Sequence, residues 1–419
     1  MTIRLYEGRM EFDYDSSDGT VKTTHTVYVE SDGLYFDGKI YGTGSPGVII
    51  SSPVSSDSSG LETGDFEFQS DQIAFGTNTL YAKADGSGVI FSGTIGATLD
   101  STPAPAAQGT VAGFASGGFQ NFPTPGPVVD IEKYPFSISS GTATDVGDLN
   151  EPRTGSTGLS STTDGFAIAG TNPAGAAVPG YISTIDKFPF GISAGTATNV
   201  GNLTDVKSFA SSQLSSANGF VSGGFTPGGS SSYLSIIEKL PFSISSGTAA
   251  DIGDLSSSRT STSGQNSSVD GYTSGGYEPP SVAPTSTIDK FPFGISSGTA
   301  INVGDLSEAK YQTTTGQSSK TDGFTTGGVG PVSPLTTIEK YPFSISSGTA
   351  TDVGDLGPGA DQRSAAAGSS STTDAFTAGG LAPPYATDIY KFPFSISSGT
   401  STNVGDLSIP RGNISGQQD

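Results

Sequence analysis

IEKYPFSISSGTATDVGDL begins at Ile131 and returns as IDKFPFGISAGTATNVGNL at Ile185, IEKLPFSISSGTAADIGDL at Ile237, IDKFPFGISSGTAINVGDL at Ile288, IEKYPFSISSGTATDVGDL at Ile338 and IYKFPFSISSGTSTNVGDL at Ile389. The central prolines, Pro135, Pro189, Pro241, Pro292, Pro342 and Pro393, lie 54, 52, 51, 50 and 51 residues apart by subtraction. A period of about fifty residues belongs to propeller blades. The small drift in spacing confines length changes to loops.

Around this core the order is constant. A strand-like stretch ends in a Gly pair, as in GFASGG from Gly113, GFVSGG from Gly219, GYTSGG from Gly271 and GFTTGG from Gly323. A variable Pro/Gly-rich segment follows, then the apolar strand ending in Pro-Phe, then TATDVGDL, a basic residue and a Ser/Thr/Gly-rich stretch. Abundant β-branched and aromatic residues, with no 3.6-residue stripe, predict four short strands per repeat. Gly and Asp/Asn supply the turns. The fold expected is all-β: a six-bladed propeller over residues 106–419, preceded by a small β domain over 1–105.

The first repeat starts at Gly109 without the Ser/Thr-rich strand that precedes the Gly-pair strand elsewhere, whereas SIPRGNISGQQD supplies that strand at residues 408–419. Arg411 to Asp419 should therefore complete the first blade and remove an open sheet edge. A shorter alternation runs inside the long period. Asp145, Asn199, Asp251, Asn302, Asp352 and Asn403 alternate, as do Glu132, Asp186, Glu238, Asp289 and Glu339 until Tyr390 breaks the series. The basic residues run Arg153, Lys207, Arg259, Lys310, Arg363 and Arg411. Odd and even blades read as copies of a two-blade unit, which gives the ring pseudo-threefold character.

The order of basic residue, strand, Asp-Gly-Phe, Gly-Gly, variable loop and aromatic strand resembles the Kelch motif from about Gly109 to Asp419. Kelch repeats usually carry a Trp that this chain lacks, and Phe136, Phe190, Phe242, Phe293, Phe343 and Phe394 are expected to fill its packing role. The second blade also has Ala169-Gly170 in place of the Gly pair. In its FPFSISSGTAT wording and composition the chain further resembles repetitive propeller proteins encoded by bacteriophages, particularly of aquatic hosts. That resemblance implies a non-enzymatic virion protein, in a tail fibre or other appendage or as capsid decoration. It would assemble in the host cytoplasm, dock to other virion proteins through residues 1–105 and display the propeller to a host glycan or surface protein. The alternatives are an extracellular cellular adhesin or protein-interaction propeller and, more remotely, a polysaccharide-cleaving propeller.

Composition agrees with thin, turn-rich β structure: 60 glycines, 33% apolar and 14% charged residues in 419. The formal charge of −22 argues against nucleic-acid binding. Twelve of the eighteen Lys and Arg occupy two recurrent blade positions, Lys133 and Arg153 and their counterparts, which leaves little for a basic patch. There is no cysteine for a disulfide, thiolate metal site or nucleophile. MTIRLY has no apolar leader region, and no run approaches membrane-spanning length, so neither general secretion nor membrane insertion is expected. Homo-oligomerisation is compatible with a virion role.

His25, the single histidine, lies in TTHTVYV and reads as a surface or packing residue of a strand. Residues 1–105 contain further strand-sized stretches, MEFDYD, TVYVE, LYFDGKIYG, VIISSP, DFEFQSDQIAFG, TLYAKA and GVIFSG, and STPAPAAQGT from Ser101 reads as a linker. Histidine-based triads and zinc sites have no partners. The propeller arginines recur at equivalent positions instead of clustering as a carboxylate-binding group. Abundant Asp and Glu leave paired-carboxylate glycoside chemistry formally available, but a catalytic pair should break the repeat symmetry. TDVGDL loops lack EF-hand spacing, though their oxygens leave calcium open. No cofactor is expected.

Recognition is expected where the repeats differ. The connections after the second and fourth strands emerge on one face, whereas the SISSGT connection on the other face is almost invariant. The candidate ligand-binding residues are Phe119, Phe122, Tyr181, Tyr233, Tyr277 and Tyr385, aromatics set among Pro and Gly in the second-to-third connections. GPGADQR from Gly357 is the longest fourth-to-first connection. Deleting Gly412 to Asp419 should sharply lower the melting temperature; a deletion that melts like the full chain would refute ring closure by this segment.

Overall fold

Two compact units divide the chain, Met1–Thr102 and Pro103–Asp419. The computed structural model describes side chains over 108–419, apart from 122–123, 173–179, 229–231, 280–282, 313–315, 332–333, 358–362 and 382–384, and the backbone of strands up to residue 92. In the first unit, Thr2–Tyr6, Arg9–Asp15, Lys22–Glu30, Gly33–Phe36 and Lys39–Ile40 form an antiparallel meander, and Thr79–Ala82 pairs with Val89–Ser92. His25 stands opposite Phe12 in that register. VIISSP and DFEFQSDQIAFG lie outside the described residues.

The second unit is a six-bladed propeller of four-stranded antiparallel sheets. Blade 4 shows the pattern: Ser263–Asn266 innermost, then Asp270–Ser274, Thr287–Pro292 and the outer Ile301–Asp305. The chain's own alternation sets these layers. The second strand is buried on both faces, and the outer strand shows a polar edge to solvent. Blade 1 is closed as its sequence requires: Ser415–Gln418 pairs antiparallel with Ala112–Ser116, placing Ser415 opposite Ser116. The linker ends earlier than its composition implies, because Gly109 N–H donates to Ser370 O at 2.8 Å and Thr110 N–H to Asp419 O at 2.6 Å. Backbone pairing makes these residues part of the propeller.

Neighbouring blades are joined by three repeated contacts. The first is aromatic. The Phe of each Pro-Phe pair lies on the Phe or Tyr ring of the preceding blade's second strand, as in Phe293 on Phe220 at 4.9 Å and Phe343 on Tyr272 at 5.0 Å. These phenylalanines do pack between blades, as expected. On the same second-strand rings sit the repeat lysines, such as Lys133 Nζ at 5.0 Å from the Phe114 ring centre. Several of these lysines also pair with the Asp that starts the second strand, as in Lys290–Asp270 at 2.9 Å.

The second contact explains the recurrent TATDVGDL stretch, whose fourth residue alternates between Asp and Asn. Asp145 Oδ1 accepts the Gly147 N–H at 3.1 Å, and Asn199, Asp251, Asn302, Asp352 and Asn403 do the same for their own glycines. Asp and Asn alternate freely because either supplies that acceptor. Gly147 sits at φ 148° in a bulge, and a Cβ there would lie 2.6 Å from Gly195 O of the next blade's SISSGT turn. Asp148 N–H then donates to Gly195 O at 2.8 Å, and Ala197 N–H returns to Asp148 O at 2.7 Å. The most repetitive text in the chain is thus a latch between blades.

The third contact is an ion pair at every junction, fully buried at five of the six. Arg153 binds Asp186 at 2.7 Å, Lys207 binds Glu238 at 2.5 Å, Arg259 binds Asp289 at 3.0 Å, Lys310 binds Glu339 at 3.0 Å and Arg411 binds Glu132 at 3.1 Å, all with fully buried side chains. Each acid also accepts a backbone N–H from the preceding blade, such as Asn150 to Asp186 at 2.9 Å and Thr204 to Glu238 at 2.6 Å. The sequence alternation is therefore one coupled choice. Long Arg meets short Asp, shorter Lys meets longer Glu, and the closing junction joins Arg411 to Glu132. Burial draws the Arg153 guanidinium below its ordinary value and pushes the Asp186 carboxyl up, with each charge opposing the other's shift.

At Tyr390 the acid is missing, and two substitutions compensate. Asp388, two residues earlier on the same strand face, takes Arg363 at 2.5 Å, while Arg363 lies 5.6 Å from the Tyr390 ring centre. Ser401, which stands where other repeats have Ala, accepts the Gly357 N–H at 3.0 Å.

Breaking one partner of such a pair leaves a buried uncompensated charge, so Glu238→Gln should cost about 3–5 kcal/mol in urea unfolding. Restoring the alternative length match, Lys207→Arg with Glu238→Asp, should cost less than either single change. Burial also pushes the Tyr134 hydroxyl, bonded to Ser369 Oγ at 2.9 Å, up to about 12. The folded state favours the neutral phenol, so its contribution is complete below about pH 10 and lost as pH rises toward 12. Tyr134→Phe should lose about 2–3 kcal/mol less than the parent across that window, and an unchanged slope would exclude this role.

Candidate functional site

The variable face begins where the six inner strands start. After each junction base the chain takes one residue, then turns through a left-handed position: Gly155, Phe209, Ser261, Gln312, Ala365 and Asn413, with φ between 50° and 64°. These six form a circuit around the axis. Phe209 N–H donates to Gly155 O at 2.8 Å, Ser261 to Phe209 at 2.7 Å, Gln312 to Ser261 at 3.0 Å and Ala365 to Gln312 at 2.7 Å. Gly155 N–H reaches Asn413 O at 3.1 Å, and Ile414 N–H completes the circle to Ala365 O at 3.4 Å. Left-handed backbone costs a side chain with Cβ roughly 1–2 kcal/mol, most at Phe209, Ser261, Gln312 and Ala365, where neither Gly nor Asn relieves it.

Inside this circle lies an axial cavity of about 50 Å³. Among the described residues its lining is hydroxyl, amide, alkyl and one phenyl ring, with no charged side chain. Thr262 Oγ1 and Asn413 Oδ1, both of lining residues, are buried without a hydrogen-bond partner. Deeper along the axis the inner strands approach so closely that a Cβ on Gly158, Gly264, Gly316 or Gly416 would overlap a backbone oxygen of the neighbouring strand. Ser212 stands at the corresponding position of blade 3 and donates its hydroxyl to Gly158 O at 2.6 Å.

Around the cavity stand three aromatic contacts across blade junctions. Phe119 and Tyr385 meet at 6.2 Å between blades 1 and 6, Tyr181 and Phe225 at 5.9 Å between blades 2 and 3, and Tyr277 and Tyr311 at 4.6 Å between blades 4 and 5. Tyr233 adds an edge contact to Phe225 at 5.6 Å. They occupy alternate junctions, which repeats the pseudo-threefold pattern of the sequence. Each cluster adjoins the circle by one residue: Phe119 bridges to Gly412, Phe225 to Ser208, and Tyr311 precedes Gln312. No family model matches this chain. No curated protein is found to be similar to it either.

The expected aromatic residues are therefore brought together in part. Phe119, Tyr181, Tyr233, Tyr277 and Tyr385 all lie on the variable face but are half-buried, because each leans on an aromatic neighbour instead of standing free in its loop. Burial raises the Tyr385 phenol above its ordinary value. Phe122 lies outside the described residues, as does most of GPGADQR. Sequence reasoning missed Phe225, Tyr311 and the whole left-handed circle. The signal was present: the second residue after each junction base reads Gly, Phe, Ser, Gln, Ala and Asn, different in every repeat.

The acidic residues show no comparable convergence. Most described Asp and Glu of the repeated positions are engaged in junction pairs, turn acceptors, lysine contacts or bonds from Ser and Thr hydroxyls, while burial, with Asp130 and Asp145 nearby, raises the Asp148 carboxyl above its ordinary value. Among the described residues no three His, Asp or Glu side chains gather as a metal site would require.

Proposed function

We propose that this chain is a non-enzymatic structural and binding protein of a bacteriophage particle, with a Kelch-like propeller that presents its variable face to the host surface and an N-terminal unit that docks to the particle. One observation carries this reading: divergence between the six repeats is concentrated on one face. The second-to-third connections, the left-handed circle and the junction aromatics all lie there, on a scaffold whose remaining repeat residues are committed to joining blades. Such partition suits a rigid head with adaptable contact residues.

Commitment of the recurrent carboxylates to scaffold bonds supports binding over hydrolysis. Acidic balance supports a protein or glycan ligand over nucleic acid, since the junction cations are already neutralised by buried partners. Peptide mass spectrometry of purified particles made from the encoding genome should detect the chain at structural stoichiometry. Its absence from particles would overturn the virion reading in favour of a cellular adhesin or interaction propeller.

A further inference from the structure

We infer that the axial mouth of the variable face binds the uncharged, hydroxyl-rich end of a neutral glycan; this rests on the reading of the propeller as a recognition head. The first support is strain that the backbone circuit itself does not need, since Gly would make the same bonds without it. The circle positions could all be Gly, as Gly155 is, yet five carry side chains in a left-handed conformation and all six differ. Repeats that keep SISSGT nearly constant would be expected to keep a purely structural turn constant too. Retained strain with divergent side chains points to selection on what those side chains meet.

The second support is chemical. Thr262 Oγ1 and Asn413 Oδ1 lack partners and have almost no accessible surface, so a small side-chain rotation toward the cavity is needed before water or a ligand hydroxyl satisfies them. Among the described residues their surroundings contain no charge, so a carboxylate, sulfate or phosphate would lose its hydration without a counter-ion. Arg153, Lys207, Arg259, Lys310 and Arg411 are fully buried against acids and unavailable. A sugar hydroxyl both donates and accepts, and so matches hydroxyl and amide groups.

The third is size and surroundings. About 50 Å³ admits a hydroxymethyl or a few waters but not a pyranose ring, so the ring must remain at the mouth. The Phe209 ring lies there, packed over Gly155 closely enough that a Cβ on Gly155 would sit 2.9 Å from it. The three aromatic junctions extend the same surface outward. A saccharide end can therefore set one polar group in the axial cavity and its apolar ring face on Phe209, with following residues along one junction.

Calorimetric titration of the full chain with neutral maltoheptaose, cellohexaose and mannohexaose, against oligogalacturonate and sialyllactose, tests this. At least one neutral oligosaccharide should bind and both anionic ones should not. Thr262→Val, Asn413→Gly and Phe209→Asn, the last two chosen to tolerate left-handed backbone, should each weaken that binding about tenfold with no loss of melting temperature. Hydrogen exchange on the unmodified protein gives a readout independent of variant folding: the sugar should slow amides of 209–213 and 261–265 but not those of the SISSGT turns. Preference for the anionic sugars, binding insensitive to all three variants, or no binding to any panel member would overturn the assignment. A chain found in particles that ignores these sugars fails only this inference. One absent from particles that binds them through Phe209 fails only the virion reading.

Discussion

The ring depends on a buried charge pair that reaches backward. At each junction a base from the connecting segment is neutralised by an acid on the third strand of the next blade, or by Asp388 at the Tyr390 blade. At five of the junctions that acid also holds a backbone N–H of the blade just left. An isolated pair of this kind earns little net stability, since desolvation offsets attraction. Here it does something an apolar contact cannot: it satisfies an outer-strand amide while fixing the angle at which one sheet follows another. The substitution pattern at Tyr390 shows that both duties matter, since Asp388 restores one and Ser401 the other.

With the angle fixed, the remaining junction contacts become repetitive. Stacked rings exclude water between sheets, lysines cover those rings, and the SISSGT turn closes on the bulged outer strand of its neighbour. The result is a scaffold whose six units are interchangeable in almost everything except what faces one axial mouth. Uniformity elsewhere is what lets that face vary, because loop changes there leave the ion pairs, stacked rings and SISSGT latches of the junctions in place.

Most of this architecture was legible in residues. The fifty-residue period announced blades, the Ser/Thr-rich segment at 408–419 announced closure, and the six Phe after Pro announced inter-blade packing. The meaning of the alternations was less accessible. Asp145 and Asn199 look like a chemical difference but perform the same turn, whereas Arg153 with Asp186 and Lys207 with Glu238 look like conservative drift but are matched lengths. Pairing two columns thirty residues apart requires knowing that a connecting segment lies against the third strand of the following blade. The candidate site was half legible. Loop aromatics stand out by type, but Phe209, Gln312 and Asn413 are conspicuous only once the backbone shows them turning left-handed around a shared axis.

The strand at Ser415–Gln418 has a temporal consequence. Its partner, Ala112–Ser116, leaves the ribosome some three hundred residues earlier, as the Ser116–Ser415 hydroxyl contact across 299 positions measures. Blades 2 to 6 can assemble during synthesis from local pairings, but the first sheet waits with one edge bare until residue 418 has been made. During that interval the nascent chain presents a three-stranded receptor for an inner strand of exactly the kind its own later blades contain. Near-identity of the repeats, which makes the finished ring regular, therefore makes the unfinished one prone to adopt the wrong strand.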